Sequence, residues 1–145
     1  LYQSLEKMFI KNAFPTQRSL SSYDYIYQEE NMDKKIITPA MDIIIQAGDA
    51  RLLIFDALTA MADNDYEKTA EKLQEAQKKM TEAHKIQTDM IQGEAKGEAI
   101  GYSLLFTHAQ DTLMTIYSEL NIAKKLYKVF EPLEKRITRL EKRDL

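Results

Sequence analysis

The sequence predicts an all-α protein, an antiparallel up-down-up bundle of three helices. Three observations lead there. Apolar residues recur at three- and four-residue spacing over long stretches, and no strand-like alternation interrupts them. Ala, Leu, Glu, Lys and Met, all strong helix formers, dominate from Thr38 onward. Glycines and prolines are few, four and three in 145 residues.

Residues 1–37 differ in character and read as an appended N-terminal arm. Leu1 to Phe14 can form a short amphipathic helix that Pro15 ends, and Gln17 to Asn31 is rich in Ser, Tyr and Gln. Thr38 before Pro39 is a helix start, because the threonine oxygen caps free amides and proline fits the first helical position. The first long helix is expected over Pro39 to Ala62. Asp63, Asn64 and Asp65 make a turn, with Asp65 capping a second helix to about Gln92. Tyr66, Ala70, Leu73, Met80, Gln87 and Ile91 mark its buried face. Gly93, Gly97 and Gly101 punctuate a loop, and Ser103 caps a third helix, expected to reach Phe130 or Glu131, where Pro132 kinks or ends it. Residues 132–145 form a charged helical tail. Helices of roughly 24 to 29 residues, joined by short turns, pack side by side and antiparallel. The third keeps apolar residues on more than one face (Leu104, Leu105, Phe106, Leu113, Met114, Ile116, Tyr117, Leu120), a surplus that argues for self-association.

Bulk properties exclude several functions. A net charge of −3 with interleaved signs offers no basic surface for nucleic acid. No apolar run approaches the roughly 20 residues that span a bilayer, and nothing at the start reads as a signal peptide. The absence of cysteine removes disulfides, thiolate catalysis and Cys-based zinc sites, and suits a reducing, cytoplasmic compartment. There is no Gly-rich phosphate loop and no HExxH pair.

Chemistry then rests on two histidines. His108 lies just inside the third helix, and His108, Asp111, Thr112 and Thr115, spaced i, i+3, i+4 and i+7, form a polar stripe on an otherwise apolar helix. Read by spacing alone, the stripe is also compatible with a hydrogen-bonded histidine and a surface aspartate. Imidazole suits phosphoryl carriage, since its unprotonated nitrogen is a nucleophile near neutral pH and the N–P bond stays reactive. A helix N-terminus favours the bound dianion, whereas Asp111 opposes it unless a cation or proton neutralises the carboxylate. His84 shares a face with Met80, Gln87 and Ile91 and reads as a packed histidine. Asp49 and Arg51, two residues apart on a helix, do not face each other and form a polar shoulder.

Four blocks then make the sequence familiar: Gln46-Ala47-Gly48-Asp49-Ala50-Arg51, Glu82-Ala83-His84-Lys85-Ile86-Gln87-Thr88, Glu94-Ala95-Lys96-Gly97, and His108-Ala109-Gln110-Asp111 with Leu113-Met114-Thr115. In this order and at these intervals they resemble the enzyme IIA family of the lactose, cellobiose and chitobiose phosphotransferase systems, over about Met41 to Leu126. The resemblance places the enzyme IIA bundle at 38–131. It implies a phosphotransferase component in which His108 accepts phosphate from the phosphocarrier HPr and passes it to a cysteine of the IIB component, linked indirectly to the membrane IIC component. It further implies a homotrimer packed through the third helices, where three copies of Asp111 bind one divalent cation, magnesium in the usual reading. Gln110 and Thr112 are supporting site candidates. Thr112 is also a departure, because the family usually has a second histidine there, and a hydroxyl cannot carry positive charge. The sugar is not readable from this subunit. Two rival readings are a noncatalytic regulatory or assembly module related to enzyme IIA, and the histidine phosphotransfer domain of a two-component relay; the latter tends to carry Lys-Gly soon after its histidine, and Ala109-Gln110-Asp111-Thr112 stands here instead.

Overall fold

In a computed structural model of the chain, the described residues are 22–97 and 102–143, with side chains from residue 34 onward. They form three helices, α1 (Ser22–Ala62), α2 (Tyr66–Ala95) and α3 (Leu104–Glu141). Contacts divide the chain into two compact units, Leu1–Lys34 and Lys35–Leu145, and the second holds the bundle.

Two of the expected starts and stops are borne out in atomic detail. Asp65 caps α2, its carboxylate accepting from the Lys68 amide at 3.0 Å, and Ser103 caps α3, its hydroxyl oxygen accepting from the Phe106 amide at 3.2 Å. α1 closes with Asn64 in the left-handed region at φ 60°. The Asp65 amide reaches back to the Ala60 carbonyl and the Asn64 amide to that of Met61, so otherwise orphaned carbonyls are satisfied within a very short turn.

Other boundaries are corrected. α1 does not begin at Pro39 but runs through it from Ser22. Proline deprives only the carbonyl of Lys35 of a helical donor, and Lys35 is exposed, so water can replace it. Pro132 likewise fails to end α3, which continues to Glu141; the carbonyl that loses a donor belongs to the exposed Lys128. Gly93 lies within α2 rather than in a loop. Ala70 and Ile91, expected on the buried face of α2, are exposed, and Thr69, Leu73, Ala76, Met80 and Ala83 form that face. The expected helix over Leu1 to Phe14 and the loop residue Gly101 lie outside the described residues.

Cross-helix contacts set the topology. Asp49 pairs with Lys79 and the Thr69 hydroxyl reaches the Ala57 carbonyl, so α1 and α2 run antiparallel. His84 packs on Tyr117 and Lys124 donates to Gln77, so α2 and α3 do the same. α1 and α3 are therefore parallel, and the pair Arg51–Glu119 fixes their register. The core between them comprises Ala40, Ile43, Ala47, Ala50, Ile54 and Ala57 from α1, Leu73, Ala76, Met80 and Ala83 from α2, and Ala109, Leu113, Ile116, Leu120 and Ala123 from α3. Eight of these fifteen are alanine, which lets the backbones approach closely and leaves the few large side chains to fill each layer. Among the described residues no helix is long and apolar enough to cross a membrane.

This packing makes opposite demands at its large and its small positions. Leu113→Ala should lower unfolding free energy by about 2–5 kcal/mol through the cavity it leaves. Ala76→Leu should lower it by about 1–3 kcal/mol through overpacking. Urea unfolding followed by circular dichroism measures both, and a neutral Ala76→Leu would mean the helices are not held at close approach there.

Candidate functional site

The site is built on the first turns of α3. With Ser103 capping the helix, the stripe Ala109, Leu113, Ile116, Leu120, Ala123 is forced inward, all five buried. The opposite side is thereby turned outward. His108, one residue before buried Ala109, is exposed, as are Asp111 and Thr115, while Gln110 and Thr112 are half-buried on the flanks. The expected polar stripe is present, with Thr112 set toward the interior edge rather than on its crest. The Thr115 hydroxyl donates to the Asp111 backbone carbonyl at 2.8 Å, which ties Thr115 to its own helix.

His108 stands in the second turn of α3, near the positive end of its dipole. It is exposed to solvent. His84 is different. It is half-buried, with its ring edge-on to Tyr117 at 5.1 Å and 88°, a packing role that matches the sequence reading.

The carboxylate of Asp111 engages no ion pair or hydrogen bond among the described residues, and no three His, Asp or Glu side chains converge there to hold a metal ion. One chain supplies one exposed carboxylate, whereas magnesium completes an octahedron of oxygens. The residue fits a cation site only if copies of the chain bring several such carboxylates together.

Sequence reasoning missed how Asp49 and Arg51 are used. They do not pair with each other; each crosses to a different helix. Arg51 makes a bidentate pair with Glu119, at 2.8 and 2.9 Å, and Asp49 accepts from Lys79 at 2.8 Å. The signal lay in their spacing, since side chains two apart on a helix diverge by about 200° and so point at separate neighbours. Also missed was an outward apolar line on α1, formed by Ile37, Met41, Ile45, Leu52 and Phe55. Of the apolar residues expected on several faces of α3, Leu104, Met114 and Tyr117 are exposed, Leu105 and Phe106 half-buried and Leu113, Ile116 and Leu120 buried, and Ile122 and Val129 add to the outward surplus.

The fold places the chain in a class, that of the helical IIA subunits of sugar phosphotransferase systems. It superposes on the crystal structure of PtcA from S. mutans with a TM-score of 0.66 and 33% identity, covering 68% of this chain and 96% of that one. The cellobiose-specific enzyme IIA from Bacillus anthracis gives 0.64 and 31%, covering 68% and 90%. Residues 38–131 match the family described as PTS system, lactose/cellobiose specific IIA subunit. The lactose-specific EIIA component of Staphylococcus epidermidis is 38% identical over 90 residues, 62% of this chain and 86% of that one. The lichenan-specific enzyme IIA component of Bacillus subtilis is 32% identical over 102 residues, 70% of this chain and 93% of that one. The chain belongs to the lactose/cellobiose-specific IIA family, and is thus a transferase component of a sugar phosphotransferase system. Membership in this family sets aside the two-component relay reading.

Arg51 and Glu119 are each a little over one-third exposed, so their pair is worth less than a buried one. Glu119→Gln should cost about 0.5–1 kcal/mol of stability at low salt, and the difference from wild type should shrink in high salt as the charges are screened. Parallel urea titrations at two ionic strengths measure it; a loss independent of salt would assign Glu119 a packing role instead.

Proposed function

We propose that this protein is a cytoplasmic phosphoryl carrier that accepts phosphate from phosphorylated HPr on His108 and passes it to the cysteine of a IIB component. The observation that carries the reading is the open imidazole of His108 at the start of α3, beside a face that has no polar partner of its own. In the first step the unprotonated ring nitrogen attacks phosphorus as the donor's N–P bond breaks, its electron pair returning to the HPr histidine. In the second the IIB thiolate attacks, and the pair returns to His108. The backbone amides and dipole at the α3 N-terminus favour the dianion while it resides there. Thr112 can donate its hydroxyl to a phosphoryl oxygen, and Gln110 is placed on the other flank. The transported sugar is handled by the membrane component IIC, reached through IIB. The relatives' specificities for lactose and lichenan therefore give only a class for it, a disaccharide or short β-glucoside.

The assembly part of the proposal is a homotrimer. Its support is the apolar surplus on the outward faces of α1 and α3, together with an exposed carboxylate that one chain leaves unpaired. Three Asp111 side chains at a threefold axis would hold a divalent cation, magnesium by its preference for oxygen ligands. The cation would neutralise charges whose mutual repulsion otherwise opposes assembly.

Incubation with enzyme I, HPr and phosphoenolpyruvate should add one phosphoryl group per chain by intact mass. His108→Ala should abolish it, and replacing His84 should leave it intact. Thr112→His should accelerate transfer without being required for it, since a protonated imidazole donates to the phosphoryl oxygens. Labelling that survives loss of His108 would refute the assignment.

Sedimentation should give a trimer that weakens with chelator. Asp111→Leu should keep or strengthen the trimer while removing its metal dependence, because apolar contacts replace charges that need an ion. A monomer under both conditions would sink the trimer. A trimer indifferent to chelator, with no metal by elemental analysis, would sink the role of Asp111.

A further inference from the structure

The side of α3 that faces away from the bundle carries a charge pattern of its own. Opposite the buried line of the helix lie Asp111, Thr115, Ser118, Ile122, Lys125 and Val129, all exposed. They follow one another at four- and three-residue intervals, the spacing of a helix-packing seam. Lys125 stands two heptads beyond Asp111, about 21 Å along the helix. It makes no hydrogen bond or ion pair among the described residues. No carboxylate of the same stretch is at hand. Residues 120–130 hold Lys124, Lys125 and Lys128 and no Asp or Glu, and the acids that border them are engaged, Glu119 by Arg51 and Glu131 by Lys135. Lys124 is held by Gln77 on α2, which leaves Lys125 as the uncompensated charge on the seam.

The consequence appears in the threefold assembly proposed above, on which this inference rests. A threefold rotation keeps the copies of α3 parallel, so a seam that brings Asp111 to the axis brings Lys125 to it as well. Three ammonium groups then meet between a layer of Ile122 and a layer of Val129. Desolvation and mutual repulsion oppose that arrangement unless a counter-charge joins them. Helical side chains lean toward the N-terminus, which carries each ammonium group toward Asn121, its neighbour one turn earlier in the same trough on α3. Both side chains donate hydrogen bonds. We infer that the trimer axis holds a free tetrahedral oxyanion, of the phosphate or sulfate type, bound by three copies of Lys125 with Asn121 beside them. Symmetry selects that class of ligand. A tetrahedral oxyanion has a threefold axis along each of its bonds, so it offers three equivalent oxygens to three equivalent lysines, which a carboxylate does not. Its fourth oxygen points along the axis, which the Ile122 and Val129 layers close, so a phosphate ester has no room for its substituent.

Sedimentation and titration calorimetry of the full chain test this with inorganic phosphate as the probe, magnesium being present throughout so that only the anion varies. Phosphate should bind once per three chains. At ten times its dissociation constant it should raise the trimerisation constant about elevenfold over chloride of equal ionic strength. Sulfate should act likewise, and glycerol 3-phosphate should not. Lys125→Met should abolish phosphate binding and leave the trimer at least as strong in chloride, because an apolar layer needs no counter-charge. Lys128→Met, off the seam, should leave binding in place. A monomer in every medium would overturn the trimer and the anion site with it, whereas a trimer that binds no phosphate would overturn the anion site alone. One phosphate per chain, binding that survives Lys125→Met, or equal binding of glycerol 3-phosphate would overturn it too, since each takes the anion off the axis.

Discussion

Close approach of the three helices across alanines is the constraint on which the rest depends. Ala47, Ala50 and Ala57 on α1, Ala76 and Ala83 on α2, and Ala109 and Ala123 on α3 are all essentially inaccessible to solvent. Small side chains at these positions leave little freedom for helices to slide or rotate, because the intervening Ile54, Met80, Leu113 and Leu120 fit only in register. That register brings Arg51 to Glu119 and Asp49 to Lys79. It also decides which side of α3 is outward. Burying Ala109 and Leu113 turns His108 and Asp111 toward solvent, so the chemistry of the site follows from packing on the far side of the helix.

Much of this was legible in the sequence. The caps Asp65 and Ser103 were readable because a side-chain oxygen before an apolar-periodic stretch has one strong use. The Asn64 turn was readable from three consecutive polar residues with left-handed or capping preferences. The polar stripe of α3 followed from spacing, whereas the inward line Ala109, Leu113, Ile116, Leu120 and Ala123 and the half-burial of Thr112 did not. The prolines were not readable in the same way. Pro39 and Pro132 each remove one hydrogen bond, and whether a helix survives depends on what surrounds the orphaned carbonyl. Lys35 and Lys128 are exposed, a fact of tertiary structure that no local pattern carries. Gly93 misled for a related reason, since its modest helical cost is outweighed by the helix on either side.

The site was only partly legible. His108 could be singled out because the chain offers two histidines, and His84 sat on a face with apolar neighbours. The partners of Asp49 and Arg51 could not be named, as they lie thirty and sixty-eight residues away and are selected by helix register. Asp111 is a different limit. Its carboxylate has no partner within the described part of one chain, so no pairing pattern along the sequence marks it.

The continuity of α3 through Pro132 has an evolutionary consequence. One unbroken helix joins the histidine near its start to Glu141 at its end, about 50 Å away. The far end bears none of the residues that set the position of His108. Insertion or loss of a heptad there would lengthen or shorten the helix by about 10 Å and preserve the angular placement of its apolar residues Leu126, Leu133 and Leu140. A lineage could therefore lengthen or trim this end of α3 while the phosphotransferase domain is left under unchanged selection.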